Sequence, residues 1–96
     1  MGDGPITLVL VARVPASGVA DFQAYENAVL PLLAEHGGTL ERRLRGGDAT
    51  VEIHIIRFAD AAALDCYRQD PRRAAHAALL ERSGASVELL RVADVT

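Results

Sequence analysis

The chain contains no lysine and no tryptophan, and its one cysteine has no second thiol to pair with. Cys66, in the helical stretch LDCYRQ, therefore rules out an internal disulfide and is expected to be a small half-buried helix residue. Because all ten cations are arginines, any one of them is weaker evidence of a dedicated anion site than usual. Together with abundant alanine, this is the composition of a GC-rich bacterial coding sequence. Positive charge is also scarce: the net charge is −3, with no basic tail and no interleaved aromatics, so phosphate attraction is missing and nucleic acid is excluded as a partner. The apolar run ITLVLVARV is too short to cross a bilayer and lacks the flanks of a signal peptide, so a cytoplasmic protein with no membrane partner is expected. There is no glycine-rich phosphate loop, no Cys/His metal spacing, and no nucleophile with its base and orienting group. Neither a metal nor a cofactor is expected.

What is present reads as one domain of 96 residues, small enough that burial against another subunit would help it. ITLVLVARVP, bracketed by Pro5 and Pro15, is a strand apolar on both faces. Ser17 is placed to cap a helix in which Phe22, Tyr25, Val29, Leu32 and Leu33 recur at helical spacing until Gly37 and Gly38 stop it. Pro31 inside that pattern predicts a kink or a tightened last turn. TLERRLRG, residues 39–46, is polar enough for a sheet edge. A turn at Gly46, Gly47 and Asp48 leads into VEIHIIRF, a second central strand. Asp60 caps a helix through ADAAALDCYRQ, and Asp70 with Pro71 starts another piece running to about Arg82. SVELLRVADV closes the chain as a fourth strand.

The order strand, helix, strand, strand, helix, strand predicts a ferredoxin-like α+β fold, a four-stranded antiparallel sheet with strands one and three central and both helices on one face. The other face should then turn polar if it met water. It does not: Val9 and Val11 oppose Leu8, Leu10 and Ala12 on the first strand, and Val51, Ile53 and Ile55 oppose Glu52, His54, Ile56 and Phe58 on the third. A second copy of the sheet is the expected cover, giving a sheet-to-sheet homodimer.

FQAYENAVLPLLAEHGGTL, the Phe-Ala-Asp that ends the third strand, and CYRQDPRRAAHAALL together resemble the dimeric α/β-barrel superfamily, near the antibiotic-biosynthesis monooxygenase-like proteins. That resemblance implies a substrate cavity between sheet and helices and, in some branches, cofactor-free monooxygenase or isomerase activity. The haem-degrading branch uses an asparagine on the first strand, a tryptophan in the second helical region and a histidine after it. His76 and Tyr67 fall near two of those positions, but the asparagine here, Asn27, is on the first helix and Thr7 or Val9 occupies the strand, so haem is not implied.

The candidate residues divide accordingly. His54 shares a face with Glu52 and is expected either in the dimer interface, hydrogen-bonded to a carboxylate or backbone group, or as a pH-sensitive element of it, with ligand contact as a further role. His36 in the last turn of the first helix is expected to act as a cap. Arg72, Arg73 and His76 could converge on an acidic ligand, or form a solvated helix face. Tyr25, Glu26 and Tyr67 supply polar tips for a cavity, with Tyr25 or His76 as the group moving a proton and Tyr67, Arg72 and His54 contacting a small aromatic or acidic metabolite. The alternative is a non-catalytic binding or structural dimer module in which these side chains only pack.

Overall fold

The computed structural model describes residues 4–96. Four strands, β1 (Ile6–Arg13), β2 (Gly38–Arg45), β3 (Val51–Phe58) and β4 (Ser86–Val92), form one antiparallel sheet in the order β2-β3-β1-β4. Helices α1 (Val19–Val29), α2 (Ala61–Arg68), α3 (Pro71–Ala75) and α4 (Ala77–Ser83) pack on one face, which is the ferredoxin-like α+β arrangement. No helix among the described residues is long and apolar enough to cross a membrane.

Local sequence explains most boundaries. Pro31 does tighten the end of the first helix: Leu30–His36 winds as a 3-10 segment that ends at Gly37 with φ 69°. Asp60 caps α2 by accepting from the Ala63 N–H at 2.8 Å, and Asp70 caps α3 by accepting from the Arg72 N–H at 2.9 Å. Four expectations need correction. Ser17 lies inside a short 3-10 turn (Ala16–Gly18), and α1 begins at Val19 behind Gly18, which offers no side-chain cap. The piece from Pro71 does not run unbroken, since His76, at φ −106° and ψ 5°, divides α3 from α4. In the β2–β3 turn the left-handed residue is Ala49, steadied by two Asp48 bonds to Thr50, rather than a glycine. Cys66 is exposed, because α2 turns that side away from the core.

The helix-facing side of the sheet carries two apolar clusters. Ile6, Leu8, Ile56 and Phe58 pack with Leu32, Leu33 and Tyr67, while Ala12, Val14 and Phe22 form a second group toward the other end of β1. Along the paired strands between them, Leu10 stands opposite His54 and Ala12 opposite Glu52. His54 and Glu52 therefore point at the helices. This overturns their expected place in an interface on the open sheet face; β-strand alternation puts them on the same side as Ile56 and Phe58, which the helices cover.

A bulge at Glu41 controls what meets them from the edge. Before it Leu40 pairs with Ile56, and after it Arg43 pairs with His54 and Arg45 with Glu52. Strict alternation from Leu40 would have brought Arg42 and Leu44 to the helix side; the extra residue reverses the parity and brings the two arginines inward. On the open face lie half-buried Val9, Val11, Ile53 and Ile55, with exposed Leu44, Val51, Leu90 and Val92 around them.

Candidate functional site

The site begins with three buried ionisable side chains in a row. Glu52 and His54, two residues apart on β3, are 1% and 0% exposed, and the His54 Nε2 and Glu52 Oε2 atoms are 2.5 Å apart. Glu52 also accepts from Arg43 Nε at 3.0 Å and from Arg45 Nε at 2.9 Å. On the other side of the ring, Nδ1 is 3.3 Å from Oε2 of Glu26 on α1 without forming a hydrogen bond, and Nδ1 has no partner among the described residues. The order is Arg43 and Arg45, Glu52, His54, Glu26.

Their electrostatics are set by burial and by these contacts. Burial pushes the Glu26 carboxyl up to about 7, helped by the charge on Glu52 and opposed by Arg43 and Arg73. Glu52 feels the same burial, but hydrogen bonds from His54, Arg45 and Arg43 outweigh it and hold the carboxyl below its ordinary value. Burial lowers the His54 imidazole despite the hydrogen bond to Glu52, which pulls the other way. A neutral ring beside a fixed carboxylate donates through Nε2–H and leaves Nδ1 as an acceptor facing Glu26.

The ligand atoms of Glu26, Glu52 and His54 lie within 4.8 Å of one another. However, the two carboxylates address opposite ring nitrogens, and Glu52 is already satisfied by two arginines and the ring. This is the geometry of a hydrogen-bonded Glu52–His54 pair with Glu26 on the ring's far side, rather than of ligands around a shared ion.

Glu26 and His54 border a cavity of about 310 Å³ between the sheet and the helices. Its walls are mainly apolar, including Leu8, Val29, Ile56 and Phe58, and its mouth passes Val87 and Leu89 of β4, which are 46% and 42% exposed. Tyr67 from α2 and Arg73 from α3 also line it. The Arg73 guanidinium lies 4.6 Å from the centre of the Tyr67 ring and donates from Nη2 to the Tyr25 hydroxyl at 3.1 Å. Its Nε is buried without a partner among the described residues. The Tyr67 hydroxyl donates to the Val29 carbonyl at 3.3 Å, and burial pushes its ionisation up to about 12.

The structure thus brings His54 and Tyr67 to the cavity, with Tyr25 buried one contact behind through Arg73. It does not bring Arg72 or His76 there. Arg72 turns outward to Asp70 and Glu35, and His76 sits half-buried at the α3–α4 break. His36 bonds to Asp70 at 2.8 Å instead of capping its own helix, and the Asp70 carboxyl is held well below the usual range by Arg72 first and His36 second. Arg43 and Arg45 were not legible as site residues, since charges on an edge strand normally face water. The available signal was VEIHI itself: a glutamate in a buried strand needs cations opposite it.

A ferredoxin-like sheet with a cavity under its helices and a buried acid–imidazole pair defines the structural class. No protein-family model and no curated protein matches the sequence. Solved structures with the same fold include SnoaB, a cofactor-independent oxygenase from Streptomyces nogalater, with 19% identity over 97% of this chain and 95% of that one and a TM-score of 0.79. Another is the "putative antibiotic biosynthesis monooxygenase" of Caulobacter crescentus CB15, with 16% identity, coverage of 97% and 93%, and a TM-score of 0.76. Rv0793 from Mycobacterium tuberculosis is similar at 18% identity, coverage of 96% and 98%, and a TM-score of 0.72. At these identities the likeness is one of fold, the ferredoxin-like α+β arrangement.

Proposed function

We propose that this chain is a cofactor-free enzyme that transforms a small aromatic or acidic metabolite, as a monooxygenase or an isomerase, in the cavity under its helices. The observation that carries this reading is the cavity itself, apolar along its walls and ending in a buried carboxyl and imidazole. Apolar walls hold a planar ring, and a convergent acid–base pole acts on one position of it. The neighbour SnoaB, a cofactor-independent oxygenase, supports the oxygenase form.

Such chemistry needs no metal when the substrate supplies the electrons. A methylene beside a carbonyl loses a proton, the carbanion reduces dioxygen, and the resulting hydroperoxide eliminates water, so that CH2 and O2 become C=O and H2O. In this reading Tyr67 and Arg73 seat the ring, and Tyr25 fixes the Arg73 side chain. Outside the cavity wall, Arg72 ties the start of α3 to Glu35 and Asp70, and His76 stands at the α3–α4 break. A second copy covers the open sheet face, a reading supported by the apolar character of that face.

The test is dioxygen uptake by the purified protein with anthrone, in the presence of a chelator. Metal-independent uptake with anthraquinone as product is expected. Failure of anthrone and related aromatic ketones both to bind and to react would leave the fold as a non-catalytic dimer module.

A further inference from the structure

Resting on that reading, we propose that Glu26 is the general base of the cavity, removing a proton from carbon next to a ligand carbonyl, with His54 and Glu52 as positioning residues and Arg73 as the donor to the developing enolate oxygen.

Packing alone gives α1 no reason to carry a buried carboxyl. Its other buried side chains, Phe22, Tyr25 and Val29, are core residues, whereas Glu26 brings a carboxyl to a 5% exposed position on the cavity wall with no hydrogen bond among the described residues. Burying a carboxyl without a hydrogen bond is costly, so its place on the wall is not accounted for by stability. Beside it, Nδ1 of His54 is a fully buried acceptor without a partner at 3.3 Å. Once Glu26 is protonated, a small rotation gives Nδ1 the hydrogen bond it lacks.

Glu52 makes that arrangement directional. Two arginine Nε–H groups keep it a carboxylate, so it accepts from His54 Nε2–H and fixes the ring tautomer. The groups facing Glu26 are His54 and Glu52 from β3, Arg43 from β2, Arg73 from α3 and Tyr67 from α2. Of these, Arg73 has a buried Nε–H without a partner among the described residues and borders the same cavity. Its Nε–H is thus free to donate to a ligand oxygen.

The step balances within the site. The ligand C–H bond breaks, its proton forms an O–H bond with Glu26, and the electron pair moves into the enolate, whose oxygen accepts from Arg73 Nε–H. Return of the proton to the same or a neighbouring carbon gives exchange or isomerisation, and dioxygen can intercept the same carbanion. The ligand class is an enolisable ketone on a planar apolar frame.

The test uses 2-tetralone without oxygen in D2O, following deuterium incorporation beside the carbonyl by NMR and binding by its chemical-shift changes. Wild type is expected to exchange faster as pH rises through about 7. Glu26→Gln should bind 2-tetralone equally but exchange roughly 100-fold more slowly with no pH dependence, and Glu26→Asp should recover part of the rate. His54→Gln should shift the pH profile rather than abolish exchange. Wild-type exchange in Glu26→Gln, or binding without exchange in wild type, overturns the assignment and leaves the cavity reading standing. No binding to wild type removes both.

Discussion

Burial makes Glu26 a stronger base than an exposed glutamate, and the sign of that change fixes how stability moves with pH. The folded carboxyl titrates near 7 against an ordinary value of 4.5, so between those values the folded chain holds a proton that the unfolded chain has lost. Stability therefore falls as pH rises through this window. Glu26→Gln removes the loss: urea titrations should find it more stable than wild type by about 3 kcal/mol at pH 8, with the gap closing below the lower value. Glu52 behaves oppositely, because three hydrogen bonds keep it charged. Glu52→Gln leaves Arg43 and Arg45 facing a neutral amide and should cost about 3 kcal/mol at neutral pH, read as a lower urea midpoint.

Two helices meet closely where α1 begins against the end of α4. A Cβ on Gly18 would stand 1.8 Å from the Ser83 carbonyl oxygen, and backbone cannot yield as a flexible side chain can. Gly18→Ala should separate the two helices and cost about 1–3 kcal/mol in thermal or urea unfolding. Elements whose signals are local were legible in the sequence: Pro31 with Gly37 closing the first helical segment, Asp60 and Asp70 capping, and charge marking β2 as an edge. What escaped depends on partners distant in sequence. The bulge at Glu41 appears only when β2 is laid against β3, and with it the inward turn of Arg43 and Arg45. The face that His54 occupies was undecidable from alternation alone, since both sides of β3 are apolar. Tyr67 at a cavity was readable; the place of Arg73 above its ring depends on how Asp70 joins α2 to α3.

At the scale of the whole molecule, the proposed twin-subunit association rests on the open sheet face. Ile53 and Ile55 lie near its middle, half-buried without any helix over them. If a second copy covers them, Ile55→Arg should convert a dimer to a monomer in analytical ultracentrifugation, with little change in the pH dependence traced to Glu26 on the opposite side. A wild-type chain that sediments as a monomer at micromolar concentration would remove the twin-subunit proposal. β4 has another consequence. It is hydrogen-bonded to β1 alone among the described residues, and all seven of its side chains are exposed, yet Val87 and Leu89 form the rim of the cavity. Substitutions in that rim would therefore reshape access to the cavity at little risk to the interior that keeps the chain folded.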